Sequence, residues 1–241
     1  MRKPSVLVIF LTVFIDLIGF GIVVPLVPGF SQHFGAQGFL IGVIIASFSA
    51  MQFLFAPIWG RLSDKHGRRP ILLISTAGAA LSYLLFALSC TLENHTTALW
   101  LMVLSRMLAG MCGGNITVAQ AYIADITPPE QRSRRMGLIG MAFGLGFIFG
   151  PALGGFSLGG FTLGGLHFAG FGAAGPGLVA ATLCTANFVL ALFILRESRQ
   201  PGSSQGRRSP SSRSVEAYTD SAQSRGPGNH ILSSHLLLQL F

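Results

Sequence analysis

The run Gly60-Arg61-Leu62-Ser63-Asp64-Lys65-His66-Gly67-Arg68-Arg69-Pro70 is short, basic and bounded by glycines, and it lies between two apolar blocks, 39–60 and 70–90. A connection this short reverses the chain between two antiparallel helices. Gly60 and Gly67 are the residues able to take the positive φ that such a reversal needs. Asp64 and Arg68 are spaced to pair locally or to reach the ends of other helices, and an aspartate near a helix N-terminus is favoured by the helix dipole. Each flanking block is long enough to cross a bilayer, whose hydrocarbon core of about 30 Å takes roughly 20 mainly apolar residues as a helix.

Four further blocks of this kind extend outward from the run, giving spans at 5–28, 39–60, 70–90, 98–124, 136–156 and 172–195. The bulk composition agrees: 51% of residues are hydrophobic and 10% are charged, where a soluble domain carries about a quarter charged residues. The 31 glycines suit packed membrane helices. The first block follows Arg2 and Lys3, as a signal peptide would, but it is too long, holds Asp16 in its middle and lacks a small-x-small cleavage site. It is expected to be a retained span. The predicted fold is therefore an all-α integral membrane protein with a six-helix unit over 1–196.

The net charge of +8 reports topology. Arg2 and Lys3 precede the first span; Arg61, Lys65, Arg68 and Arg69 lie between the second and third; Arg132, Arg134 and Arg135 lie between the fourth and fifth; Arg196, Arg199, Arg207, Arg208, Arg213 and Arg225 follow the sixth. The alternate connections, 29–38, 91–97 and 157–171, hold no lysine or arginine. By the positive-inside rule both termini are cytoplasmic in a multi-pass cell-membrane protein, and the basic balance implies no nucleic-acid partner. Residues 154–165, GGFSLGGFTLGG, read as a flexible outer loop. Residues 197–230, rich in Ser, Arg, Gly and Pro, read as a disordered cytoplasmic linker, and 231–241 as the start of an incomplete seventh span.

The polar residues inside the spans carry the chemistry. Asp16 is the only carboxylate in the middle of a span; a carboxylate in a water-poor medium suits a group that binds and releases protons, or else it only bonds neighbouring helices. Arg106 in the fourth span is costly to insert, by about 2.5–3.5 kcal/mol on insertion scales, so it faces a polar cavity or a partner, or ties helices through backbone carbonyls. Gly110, one turn on, leaves room beside it. Asn115 and Gln120 read first as interhelical bonding groups and second as cavity-lining contacts. In the fifth span Gly146, Gly150 and Gly154 recur every fourth residue, which makes one smooth face for close helix contact; Pro151 removes a backbone donor and favours a kink. Asn94-His95-Thr96 is a glycosylation sequon in an outer connection. Cys90, Cys112 and Cys184 have no metal-ligand or CxxC spacing. No phosphate-binding loop, metal cluster or Ser-His-Asp arrangement is present in the sequence, so no enzyme activity, metal or cofactor is expected.

The ordered G-x-x-x-D-x-x-G-R-R pattern between two spans resembles the loop that marks the major facilitator superfamily, and the resemblance covers the first through the sixth span. It implies an N-terminal six-helix half of such a transporter. Gly60, Asp64, Gly67, Arg68 and Arg69 would then latch a cytoplasmic gate, with Asp125 matching the acidic partner of the loop arginine. Arg106 and Gly110 match the R-x-x-x-G of the fourth helix, where the arginine is proposed to tune proton transfer. Gly146, Gly150, Pro151, Gly154 and Gly155 resemble the antiporter motif of the drug/proton branch. Around Asp16, I-D-x-x-G-x-x-x-x-P looks like the first helix of tetracycline/proton antiporters. Ser82 stands where those exporters carry an aspartate, which argues against tetracycline itself as the substrate. The function so implied is proton-coupled export of small amphipathic compounds. The other readings are a half-transporter that acts only as a membrane binding partner, paired with a second six-helix half or with itself, and an uptake carrier for a small metabolite.

Overall fold

The computed structural model describes residues 6–163, 166–195 and 197. Arg2, Lys3, Arg196, the linker 197–230 apart from Glu197, and the segment 231–241 lie outside the described residues. Among the described residues, six stretches are helical and apolar enough to cross a membrane: Val6–His33, Gly38–His66, Arg68–Ser89, His95–Ile126, Pro129–Gly159 and Gly172–Ile194. They are built from eight α-helices. The first span is α1 (Val6–Val23), a turn of 3-10 helix and α2 (Val27–His33). Pro25 and Pro28 each withdraw a backbone donor, which is why the ladder changes there. The second and third spans are α3 (Gly38–His66) and α4 (Arg68–Ser89); the fourth is α5 (His95–Cys112) and α6 (Asn115–Ile126); the fifth is α7 (Pro129–Gly159) and the sixth α8 (Gly175–Ile194).

Two expectations about local structure change. The connection at 60–70 is a single residue: α3 runs on to His66, α4 starts at Arg68, and only Gly67 has positive φ, at 101°. Gly60 is an ordinary helical residue inside α3. The flexible loop expected from residue 154 is helix as far as Gly159, followed by a short antiparallel hairpin, β1 (Phe161–Leu163) with β2 (Leu166–Phe168), in the register Phe161↔Phe168. The helix stops at Gly160, whose φ of 71° only glycine takes without strain. Pro151 lies inside α7, which is one continuous helix.

The buried face of α1 packs mainly on α7 and α8, α4 packs on α5 and α8, and α3 lies on α5 and α4. Two apolar clusters result. One gathers Ile9, Val13, Leu72, Val118, Tyr122 and Ile139, the other Ile22, Val23, Phe86, Met102 and Ala180. Between them sits a polar layer of Thr12, Asp16, Asn115 and Asn187, all buried. By contrast, α3 buries only Ile44 and Ser63. In the connection before α5, Asn94 is a helix cap: its side-chain oxygen accepts from the N–H groups of Thr96 and Thr97, at 3.1 and 3.2 Å.

Candidate functional site

Asp16 enters the polar layer from the middle of α1 and is 6% exposed. Donors from two other helices hold both of its oxygens. Asn115 Nδ2 of α6 donates to Oδ2. Asn187 Nδ2 of α8 donates to Oδ1 at 2.9 Å and to the Thr12 carbonyl at 2.8 Å. The Cys184 thiol donates to Oδ1 at 3.7 Å. Asn115 is fixed at its other end as well, because its Oδ1 accepts the N–H of Ile116 at 2.8 Å. Asn187 Oδ1 is buried and has no hydrogen-bond partner among the described residues. A carboxylate in a membrane interior needs such donors, since a bare ion there is not tolerated.

A cavity of about 90 Å³ opens beside Asp16. Its walls are largely aromatic, from Phe20, Phe48, Tyr83 and Phe143, with Gln52 and Asn115 as polar points. Apolar walls with a few placed polar groups are how proteins hold small amphipathic molecules.

The fourth span is broken beside this cavity, between Cys112 and Asn115. The break leaves three successive carbonyls outside the helical ladder, and each accepts a side-chain donor: Met111 from Trp59 Nε1 at 2.5 Å, Cys112 from Ser75 Oγ at 2.5 Å, and Gly113 from Gln52 Nε2 at 3.4 Å. An unsatisfied backbone group in a membrane costs several kcal/mol, while each interhelical side-chain bond contributes about 0.6 kcal/mol on average. The donors from α3 and α4 are thus what makes the break tolerable.

Arg106 is 2% exposed and lies over the rings of Tyr83 and Phe86, with centroids 5.7 and 5.2 Å away. Its Nε and Nη2 have no hydrogen-bond partner, and no ion pair joins it to Asp16 among the described residues. The expected room beside it at Gly110 is used otherwise: a Cβ there would lie 2.9 Å from Met51 Cβ, so Gly110 admits α3 instead.

The glycine face of α7 meets α1 backbone to backbone. A Cβ on Gly146 would lie 2.9 Å from the Leu17 carbonyl carbon, and one on Gly150 2.6 Å from Gly21 Cα; Gly154 faces Ile22. Gly155 has open space around it.

At the end of the bundle that bears the basic residues, Arg68 gathers three partners. Its Nη1 lies 2.7 Å from Asp64 Oδ1 and donates to Ser63 Oγ at 2.7 Å, and its Nε donates to Asp125 Oδ2 at 3.0 Å. Beyond the sixth span, Glu197 Oε1 and Oε2 accept the N–H groups of Arg68 and Arg69, at 2.8 and 3.1 Å. Gly67 is what admits it, since a Cβ there would lie 2.8 Å from Glu197 Cδ. In return Arg69 Nη2 donates to the Leu192 carbonyl at 2.8 Å. A carboxylate at one helix N-terminus and a guanidinium at another's C-terminus both follow the dipoles. Glu197→Gln is expected to lower the unfolding free energy by about 0.5–1 kcal/mol, read by thermal denaturation in lipid nanodiscs.

Asp16 and Asn115 are therefore brought together, and Asp64, Arg68 and Asp125 form one cluster with Gly67 at its turn. Gln120 is exposed on α6 and does not line the cavity. Sequence reasoning missed Asn187, Glu197 and the three donors at the break. Asn187 alone carried a usable sign: an amide in the middle of an apolar span is costly unless it bonds something.

The sequence profile of the Major Facilitator Superfamily matches residues 9–241. The chain belongs to the major facilitator superfamily. It is a multi-pass membrane protein of a transporter family and not an enzyme. Among its relatives, the class H tetracycline resistance protein of Pasteurella multocida is 42% identical over 158 residues, covering 64% of this chain and 38% of that one. The class C protein of Escherichia coli is 41% identical, with 64% and 38% covered. Major facilitator superfamily domain-containing protein 10 of Bos taurus is 36% identical, with 63% and 38% covered. The crystal structure of the human organic anion transporter MFSD10 superposes with a TM-score of 0.67 at 28% identity, covering 83% of this chain and 49% of that chain. The chain thus spans well under half the length of these curated relatives and matches their N-terminal half.

Proposed function

We propose that this chain supplies the proton-handling half of a secondary transporter that exports small amphipathic compounds in exchange for protons. The observation that carries the reading is the site of Asp16. Asn187 offers the carboxylate a donor and keeps an unpartnered acceptor oxygen for the protonated acid, so one amide serves both protonation states. The aromatic cavity lies beside that acid, the α1–α7 glycine seam gives a smooth surface for helices to slide on, and the similarity to tetracycline resistance proteins favours export. The Arg68 cluster would latch the cytoplasmic gate, with both termini on that side, and the two halves of the full transporter would rock about the midplane site. Protons and a small molecule are the partners, within the lipid bilayer, together with a second six-helix half or another copy of the chain.

The test is reconstitution into proteoliposomes with an imposed proton gradient, following a fluorescent cationic dye, with the chain alone and with a second six-helix half supplied. Gradient-driven movement that collapses with a protonophore is expected; movement indifferent to the gradient overturns proton coupling. Asp64→Asn should insert normally and transport about tenfold more slowly, a loss of about 1.4 kcal/mol, because Arg68 loses one of its two carboxylates. Full transport by that variant removes the latch role. A second reading, export of organic anions, draws on the two unpartnered nitrogens of Arg106 and on the likeness to the human organic anion transporter. An anionic dye that moves while the cationic one does not would select it.

A further inference from the structure

The break in the fourth span touches both the acid and the cavity. Cys112 and Gly113 line the cavity, as does Gln52, and Asn115, next but one, reaches Asp16. The break is also gripped from outside. Trp59 fills the place a side chain would take on Gly114, where a Cβ would lie 2.7 Å from Trp59 Cβ, and its indole N–H holds the Met111 carbonyl. Ser75 holds Cys112 equally closely, whereas Gln52 holds Gly113 at 3.4 Å, the longest of the three bonds.

We propose that Trp59, Ser75 and Gln52 are positioning residues that set the register of the break, so that the proton on Asp16 and a ligand in the cavity act on one turn, Gly113–Asn115. This rests on the reading of Asp16 as the proton site. A proton on Asp16 makes Oδ1 and Oδ2 weaker acceptors, which loosens Asn115 and with it the turn. A ligand in the cavity rests on Cys112 and Gly113 and so holds the same turn in place from the other side, with the Gln52 bond to Gly113 the one that yields when the proton binds, as exchange requires. Each event then changes the affinity of the site for the other, reciprocally, as linkage requires. Among the described residues the groups around Asp16 are few. Cys184 and Asn187 face it from α8, Tyr83 from α4 with Arg106 of α5 over its ring, Asn115 from α6 and Cys112 across the cavity; α7 brings Gly146 and Phe143.

The chain carries two tryptophans, and Trp100 is 70% exposed, far from this chemistry. Trp100→Phe therefore leaves Trp59 as the sole reporter. Its emission is to be titrated in lipid nanodiscs from about pH 5 to about pH 9, around the range where buried acids release protons. The expected result is one transition, absent when Asp16→Asn is added. Ser75→Ala and Gln52→Ala, each added to Trp100→Phe, should move its midpoint by about half a pH unit, roughly threefold in proton concentration; a merely structural bond would lower the melting temperature and leave the midpoint in place. Flat emission, a transition that survives Asp16→Asn, or a midpoint fixed in both variants overturns the proposal. If Ser75→Ala does not fold, Gln52→Ala decides, since it removes only the longest bond. Emission that follows Asp16 in a chain that moves no dye would leave this coupling standing and count against transport by the chain alone; dye movement with flat emission would do the reverse.

Discussion

Asp16→Asn is expected to leave the bundle folded and to reduce proton-driven dye movement about 100-fold or more, the scale on which enzymes lose rate when a positioned proton-transfer group is removed. The substitution is close to isosteric, and the new amide oxygen still accepts from Asn187 or Asn115. What is lost is the one titratable acid of the polar layer. Dissipative movement of dye down its own gradient should survive, because the near-isosteric change leaves the shape of the cavity and its other lining residues in place. Comparing the two modes in one liposome preparation separates a coupling defect from a folding defect. Undiminished gradient-driven movement would remove Asp16 from the mechanism.

Gly150→Ala is expected to have the largest effect on stability. The added Cβ would lie 2.6 Å from Gly21 Cα and 2.8 Å from the Ile22 nitrogen. These are backbone atoms, which a rotamer change cannot move. Overpacking costs about 1–3 kcal/mol, and with no side chain to yield the upper end is expected, seen as a lower melting temperature and faster loss of binding-competent protein. Gly155→Ala, five residues on and facing open space, should stay within about 0.5 kcal/mol of the parent. Equal effects at the two positions would mean that the α1–α7 contact does not set the cost, since helix propensity favours alanine at both.

The contrast between these two glycines also shows what the sequence made legible. Spacing by fours identified the smooth face at Gly146, Gly150 and Gly154, because helical periodicity is local. It said nothing about Gly21, the partner in α1, because which face meets which is settled by tertiary packing. The six spans were readable for the same reason as the seam: length and apolarity are properties of a segment. The break at Cys112–Asn115 was not, since Gly113 and Gly114 pass as ordinary small residues in a membrane helix, and the donors that permit the break come from Gln52, Trp59 and Ser75 in other spans. The stretch 154–165 misled differently. Its glycines suggested a flexible loop, whereas α7 runs on to Gly159 and Phe161-Thr162-Leu163 pairs with Leu166-His167-Phe168 as strands. Of the polar layer, Asp16 was conspicuous as a charge, while Asn187 was passed over although it holds the same carboxylate.

The carboxylate of Glu197 has a consequence for biosynthesis. The N–H of Arg68 that it caps is 129 residues earlier in the chain. At a translation rate of about 5–20 residues per second, the third span is made roughly 6–26 s before its cap exists. Through that interval the start of α4 has only water or lipid headgroups to satisfy its amides. The insertion machinery therefore handles a third helix with an unfinished end until the sixth has been threaded. Closure of the cap is then a late assembly event, one that waits for residue 197 to be made.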